Sequence, residues 1–123
     1  MKKILIVDDE PHICTILKQF LERSDYQVDS AMNGQQALDK IAQEMPDLLI
    51  TDVQMPKMNG IELCETISRD YPALQKLIII MTSRTDVDIR TWAEPQQHIE
   101  LMEKPLSMRR LLVRLNDHFS SQG

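Results

Sequence analysis

The chain has 123 residues, 42% of them hydrophobic and 27% charged, a composition ordinary for one globular domain. Its formal net charge of -5 argues against sequence-independent binding to nucleic acid, because neutralising phosphates requires a basic surface. No apolar run approaches the roughly 18 residues that span a membrane, and the short run before Asp8 is too brief for a signal-peptide core, so we expect a cytoplasmic location without membrane attachment.

The first half of the chain alternates short apolar runs with amphipathic segments. The runs predict strands at residues 4–7, 26–31 and 48–51. A first helix, with Asp9 as its N-cap, is predicted from the inward positions Ile13, Ile16, Leu17, Phe20 and Leu21. A second helix, ending before Pro46, is predicted from Ala37, Leu38, Ile41 and Ala42.

The second half continues this alternation after a loop at residues 55–60. Strands are predicted at 77–81 and 99–103. A third helix is predicted from the inward positions Leu63, Cys64 and Ile67, and a weakly apolar fourth helix at 85–94. Ser107 is the expected cap of a last helix with inward positions Met108, Leu111, Leu112, Leu115 and Phe119. The predicted domain is residues 1–119, and residues 120–123 are left as a tail or the start of a linker.

Five strands alternating with five helices predict an α/β fold, a doubly wound parallel sheet of the flavodoxin-like kind, because parallel strands require crossover connections. The first, third and fourth strands are continuously apolar and are therefore central, whereas polar residues interrupt the second and fifth. These assignments give the strand order 2-1-3-4-5. Ligands in such sheets bind at the switch point, here between the first and third strands.

Polar residues stand where four of the predicted strands end: Asp8, Asp9, Asp52, Thr82 and Lys104. Three carboxylates at one edge repel one another unless a cation lies among them, and hard oxygen ligands suit Mg²⁺. A metal and a lysine beside a carboxylate favour phosphoryl transfer, with Asp52 as the nucleophile. Thr82 and Lys104 could each bind a phosphoryl oxygen. Alternative roles are open for several of them: Asp9 and Thr82 as helix caps, and Lys104 as a solvated side chain.

The spacing of these residues within short motifs resembles that of a known family. The motifs are Val7-Asp8-Asp9, Thr51-Asp52-Val53-Gln54-Met55-Pro56 with Gly60, Met81-Thr82-Ser83, and Lys104-Pro105. Over residues 2–119 the chain resembles the receiver domain of bacterial two-component response regulators, the CheY-like family. The resemblance implies phosphorelay signal transduction by a domain that is not an enzyme beyond self-phosphorylation and slow autodephosphorylation.

The same resemblance implies roles for individual residues. Asp52 would accept a phosphoryl group from a sensor histidine kinase or a phosphotransfer protein, assisted by Thr82 and Lys104. Asp9, Asp52 and the backbone carbonyl of Gln54 would ligate Mg²⁺ directly, and Asp8 would act through water. The Lys104-Pro105 peptide would be cis. A downstream protein would bind the face made by the fourth helix, fifth strand and fifth helix.

The chain departs from the family pattern away from the acceptor residues. Leu101 stands three positions before the lysine, where receivers usually carry an aromatic switch residue, and Gln97-His98 stands where many have Gly-Ala. Arg84 and Gln54 occupy positions that tune dephosphorylation in the family. These departures concern the output face and the lifetime of the phosphoryl group.

Three alternatives can be weighed against this function. A phosphorylation-independent interaction module of the same fold would not need the acceptor residues. A flavin mononucleotide carrier would need a phosphate-binding loop after the first strand, where Asp8-Asp9-Glu10 would repel phosphate. A phosphatase with an aspartate nucleophile would carry it on the first strand in an Asp-X-Asp pattern, which is absent.

The cysteines and histidines follow no motif. Cys14 and Cys64 are predicted to be reduced structural thiols, and His12, His98 and His118 are predicted to be surface side chains.

Overall fold

A computed structural model of the chain describes residues 1–55, 58–74, 77–83 and 87–122. Within them the strands are Lys3–Val7 (β1), Gln27–Ala31 (β2), Leu48–Asp52 (β3), Ile78–Thr82 (β4) and Ile99–Glu103 (β5). The helices are Pro11–Arg23 (α1), Gly34–Gln43 (α2), Gly60–Asp70 (α3), Val87–Ala93 (α4) and Met108–Gln122 (α5), with a turn of 3-10 helix at Pro72–Leu74. None of these helices, over the part of the chain described, is both long and apolar enough to cross a membrane.

The strands form one parallel sheet in the order β2-β1-β3-β4-β5, which confirms the predicted doubly wound α/β fold. Every residue of β3 and β4 is buried, whereas the edge strands β2 and β5 contain partly exposed positions. Central strands are covered by helices on both faces and by neighbouring strands on both sides, so their residues are buried on either face. Edge strands have one open side and can contain polar residues.

Helices cover both faces of the sheet, so the core has two layers. Alternate residues of β1 supply them: Leu5 and Val7 pack on the side of α2, α3 and α4, and Ile4 and Ile6 on the side of α1 and α5. Complete burial of one such side chain contributes roughly 1.5–3 kcal/mol. The two layers together hold β1 and β3 at the centre of the sheet, where the predicted site lies.

The first helix begins one residue later than predicted. Its N-cap is Glu10, whose side chain makes no capping hydrogen bond, and not Asp9, which is exposed. Pro11 explains the shift, because proline suits the first helical position and the cap is then the residue before it. Ser107 does cap α5 as predicted, since its Oγ accepts a hydrogen bond from the Arg110 N–H at 3.3 Å.

Two residues predicted to face inward are exposed instead. Ile16 on α1 is 49% exposed, and Ala42 on α2 is exposed. The buried stripe of α1 is Cys14, Leu17 and Leu21, and Ile16 lies about 100° around the helix from Leu17. The apolar face of α1 is therefore narrower than its apolar residues predict.

Several earlier predictions fall on residues outside the described ranges. Pro56 lies there, as do Arg84 and the first two residues of the predicted helix at 85–94. The described remainder of that helix is α4, with Ile89 and Ala93 buried. At the other end, α5 extends through Gln122, beyond the predicted inward position Phe119.

The structure shows how far the cysteines and histidines are exposed. Cys14 and Cys64 are free and buried, as predicted. His12 is exposed, as predicted, whereas His98 and His118 are half-buried. Burial lowers the pKa of His98.

Candidate functional site

The predicted residues meet where β1, β3 and β4 end. Asp8 follows β1 directly, Asp52 is the last residue of β3, and Thr82 is the last of β4. The parallel register pairs Val7 with Thr51 and Asp52 with Met81, which sets the three strand ends side by side. Asp8, Asp52 and Thr82 are exposed by only 0%, 4% and 2%, so these polar side chains are held in the protein interior.

Lys104 closes the site from the end of β5. Its Nζ lies 2.8 Å from Asp52 Oδ2, and its backbone N–H donates to the Thr82 carbonyl at 2.8 Å. Burial disfavours the ammonium, but the hydrogen bond and charge of Asp52 outweigh it and raise the pKa of Lys104. A cation is thus fixed against Asp52. The Lys104-Pro105 peptide is cis, as the resemblance implied.

Asp8 is a buried carboxylate that is only partly satisfied. Its Oδ1 accepts the backbone N–H of Glu10 at 2.9 Å, whereas its buried Oδ2 has no hydrogen-bond partner among the described residues. Burial raises the pKa of Asp8, against the Glu10 hydrogen bond, and the charge of Asp52 raises it further. Because the folded-state pKa lies above the unfolded one, the free energy of unfolding falls as pH rises through the interval between them.

Carboxylate oxygens of Asp8, Asp9 and Glu10 all lie within 4.8 Å of one another. Asp52 is outside this group, although its charge acts on Asp8, and one of its oxygens is engaged by Lys104. The structure therefore brings together two of the predicted metal-binding side chains, Asp8 and Asp9. Gln54 is exposed just beyond β3, and the role of its carbonyl as a ligand stays a prediction.

These oxygens fit a hard divalent cation. Mg²⁺ is bound through one or two carboxylates and keeps several waters, which suits a cluster with two exposed members. The orphaned Asp8 Oδ2 is the more specific feature, because an unpaired buried carboxylate oxygen is costly and a cation would satisfy it. The residues present are consistent with the predicted Mg²⁺ site.

Thr82 is close to the site but its hydroxyl is directed elsewhere. Its Oγ1 donates to the carbonyl of Ser83 at 3.3 Å. The backbone of Thr82 is fixed through the Lys104 N–H, so the hydroxyl can change partner only by rotation of the side chain. An anion bound at Asp52 would offer it such a partner.

The first residue of α3 packs directly on the backbone of Asp52. The Gly60 N–H donates to the Val53 carbonyl at 2.9 Å. A Cβ atom at Gly60 would overlap the Asp52 carbonyl oxygen and lie 3.1 Å from Val53 Cα. The absence of a side chain at this position therefore lets α3 hold the end of β3 in place.

Sequence reasoning missed three features of the site. Glu10 was noted only for its negative charge, although three consecutive acids after a strand could have indicated a cluster. Gly60 was noted only as closing a loop. Cys14 Sγ donates to the Asp8 carbonyl at 3.5 Å, but burial raises the pKa of its thiol to about 11, so it stays protonated and is no nucleophile.

An apolar groove of about 340 Å³ opens beside the site between α1 and the start of α5. Asp8, Glu10 and Lys104 line its polar end. The apolar lining comes from Ile13, Ile16, Leu17, Met81, Leu106 and Met108, with Pro105.

Comparison with known proteins identifies relatives of the chain. A family model described as the response regulator receiver domain matches residues 4–116, a range that includes every residue of the candidate site. The alkaline phosphatase synthesis transcriptional regulatory protein PhoP of Bacillus subtilis (strain 168) is 38% identical over 117 residues, which are 93% of this chain and 47% of that protein. The transcriptional regulatory protein ZraR of Klebsiella oxytoca is 35% identical over 114 residues, 93% of this chain and 25% of that protein. The chain thus spans half or less of these relatives.

Solved structures of similar fold cover the chain almost completely. A response regulator receiver domain protein (CheY-like) from Methanospirillum hungatei superposes with a TM-score of 0.88 at 29% identity, covering 99% of this chain and 96% of that one. A response regulator receiver domain protein from Clostridium thermocellum gives a TM-score of 0.87 at 27% identity, covering 99% and 97%.

Proposed function

Because the chain belongs to the response regulator receiver domain family of two-component signalling, we propose that it accepts a phosphoryl group on Asp52. The observation that carries the proposal is the buried Asp52 carboxylate, held 2.8 Å from the Lys104 ammonium beside a cluster of further carboxylates. One oxygen of Asp52 is paired with the lysine, and the other is the candidate nucleophile.

In the proposed reaction a carboxylate oxygen of Asp52 attacks phosphorus in a phosphohistidine of a sensor kinase or phosphotransfer protein. The O–P bond forms, the N–P bond breaks, and the departing imidazole takes a proton from solvent. Lys104 exchanges Asp52 for a phosphoryl oxygen, and Thr82 turns its hydroxyl from Ser83 to another. Asp8, Asp9, Asp52 and the Gln54 carbonyl would hold Mg²⁺, which neutralises phosphoryl charge when bound.

A small phosphodonor tests this function without the unidentified kinase. Incubation with acetyl phosphate and Mg²⁺ should add the mass of one phosphoryl group to the intact protein, because the acceptor, Lys104 and the cation act on either donor. Intact-mass spectrometry measures the addition. Chelation of Mg²⁺ should suppress it. An unchanged mass with Mg²⁺ present would favour the alternative, a phosphorylation-independent interaction module.

We further propose that α4, β5 and α5 form the surface read by a downstream protein. Glu103 connects this surface to the site, since it pairs in register with Thr82 and precedes Lys104. Arg90 of α4 lies 2.6 Å from the Glu103 carboxylate, so α4 is tied to the strand that carries the lysine. Leu101 has no aromatic ring that could move between a buried and an exposed position. Coupling between Asp52 and the output surface would therefore pass through α4. An exposed ion pair contributes only about 0–1 kcal/mol, so this pair alone would not prevent a shift of α4.

Trp92 on α4 should report this shift. It is partly buried against the core layer that contains Ile89 and Ala93. Beryllofluoride, a phosphoryl mimic, should change Trp92 fluorescence when added with Mg²⁺. In Thr82→Ala the response should be lost, because the hydroxyl that links the mimic to β4 and β5 is absent. A flat response in the parent, with unchanged amide exchange in α4, would remove α4 from the mechanism.

A further inference from the structure

Glu10 is a carboxylate of the site that the family's expected ligand set leaves without a role. It is the N-cap residue of α1, yet its side chain makes no capping hydrogen bond. Its backbone N–H is the donor that holds Asp8 Oδ1 at 2.9 Å. The backbone thus orients Asp8, while the Glu10 Oε2 lies 3.5 Å from His12 Nε2 in a solvent-exposed contact that a bound cation can replace.

The side chain of Glu10 faces the same space as the two aspartates. Its carboxylate lies in the group of three whose oxygens are within 4.8 Å of one another, and it lines the groove that also contains Lys104. Asp8 supplies the independent indication of a ligand: it is 0% exposed, and its Oδ2 is buried with no partner in the described chain. Three converging carboxylates around one unsatisfied buried oxygen favour the binding of a cation.

We propose that Glu10 is a fourth carboxylate of the cation site and supplies an oxygen, directly or through a bound water, to the divalent ion that Asp8, Asp9, Asp52 and the Gln54 carbonyl would hold. Its position at the mouth, with 51% of the side chain exposed, lets it contact a hydrated ion before that ion reaches the buried Asp8. The inference rests on the proposed function and adds a residue that determines cation affinity.

Mn²⁺ binding to the full chain tests the role of Glu10 without measuring phosphoryl transfer. The electron paramagnetic resonance signal of free Mn²⁺ falls as the ion binds, so a titration gives the affinity of the protein for Mn²⁺. Glu10→Ala should weaken it about tenfold, as expected when a unit charge adjacent to a divalent ion is removed. The variant should fold, since no capping bond is lost, and melting in chelator checks this. If the alanine variant does not fold, Glu10→Gln takes its place, because it keeps the size of the side chain. It should weaken Mn²⁺ binding by a similar factor.

A control variant separates ligation from net charge. Glu22→Ala removes an exposed acid from the same helix, outside the cluster. It should change Mn²⁺ affinity less than twofold. Affinity within twofold of the parent in folded Glu10→Ala, or an equal loss in Glu22→Ala, would overturn the inference. A parent that binds Mn²⁺ through Glu10 but gains no phosphoryl mass would instead refute the proposed function alone.

Discussion

Asp52→Asn should abolish phosphoryl acceptance while leaving the protein folded. The amide cannot act as the nucleophile, and no other carboxylate in the described site is both buried and paired with a lysine. The fold should tolerate the change, because it removes the charge of Asp52 that raises the pKa of Asp8. Lys104 is 36% exposed and can reach water when its partner is neutral, so the variant should remain folded.

Intact-mass spectrometry after acetyl phosphate treatment measures the loss, and a thermal melt in chelator verifies the fold. Asp39→Asn is the matched control, since Asp39 is an exposed carboxylate on α2 away from the strand ends. It should be labelled like the parent. Undiminished labelling of folded Asp52→Asn would show that another residue is the acceptor.

Gly60→Ala should destabilise the protein and reduce phosphoryl acceptance together. Helix propensity favours alanine over glycine by about 1 kcal/mol. The new Cβ, however, overlaps the Asp52 carbonyl oxygen, a backbone atom that cannot rotate away. Overpacking of this kind costs roughly 1–3 kcal/mol, and contact with a fixed backbone atom places the cost at about 3 kcal/mol, so the net loss after the gain in helix propensity should be about 2 kcal/mol. The strain falls on the peptide that positions the acceptor, and labelling by acetyl phosphate should therefore slow.

The other glycine with close neighbours provides the comparison. A Cβ at Gly34 would lie 2.7 Å from two side-chain atoms of Met58 and 2.9 Å from its carbonyl oxygen. Met58 can relieve part of this contact by changing rotamer, and neither residue bears on Asp52. Denaturant unfolding should show a smaller loss for Gly34→Ala, with labelling unchanged. Equal labelling rates in the two variants would contradict the idea that Gly60 positions Asp52.

The strand order and the location of the site could be predicted because they follow from local sequence. Buried parallel strands are apolar along most of their length, as at residues 48–50, and the polar residue that ends each one is then fixed at a single edge of the sheet. The location of the switch point between β1 and β3 could be predicted because continuously apolar strands are central and strands interrupted by polar residues are at the edges. Asp8, Asp52 and Thr82 therefore lie where the sequence predicted.

The predictions that were wrong concern helix ends and helix faces, which depend on how the helices pack in three dimensions. The cap of α1 is Glu10 and not Asp9, because Pro11 sets where the helix begins. Ile16 is half-exposed because the apolar face of α1 is narrower than its apolar residues suggest. Likewise, the contact of Gly60 with the Asp52 backbone joins elements whose separation depends on tertiary packing. Such contacts follow from how helices rest on the sheet.

The central claim is that the phosphoryl group is carried by Asp52, and chemical mapping tests this most directly. Borohydride reduces an aspartyl phosphate to homoserine, which marks the acceptor within a peptide sequenced by tandem mass spectrometry. After treatment with acetyl phosphate and Mg²⁺, we predict homoserine at position 52 and unmodified aspartate at positions 8 and 9. Homoserine at Asp8 or Asp9, with Asp52 unmodified, would contradict the account.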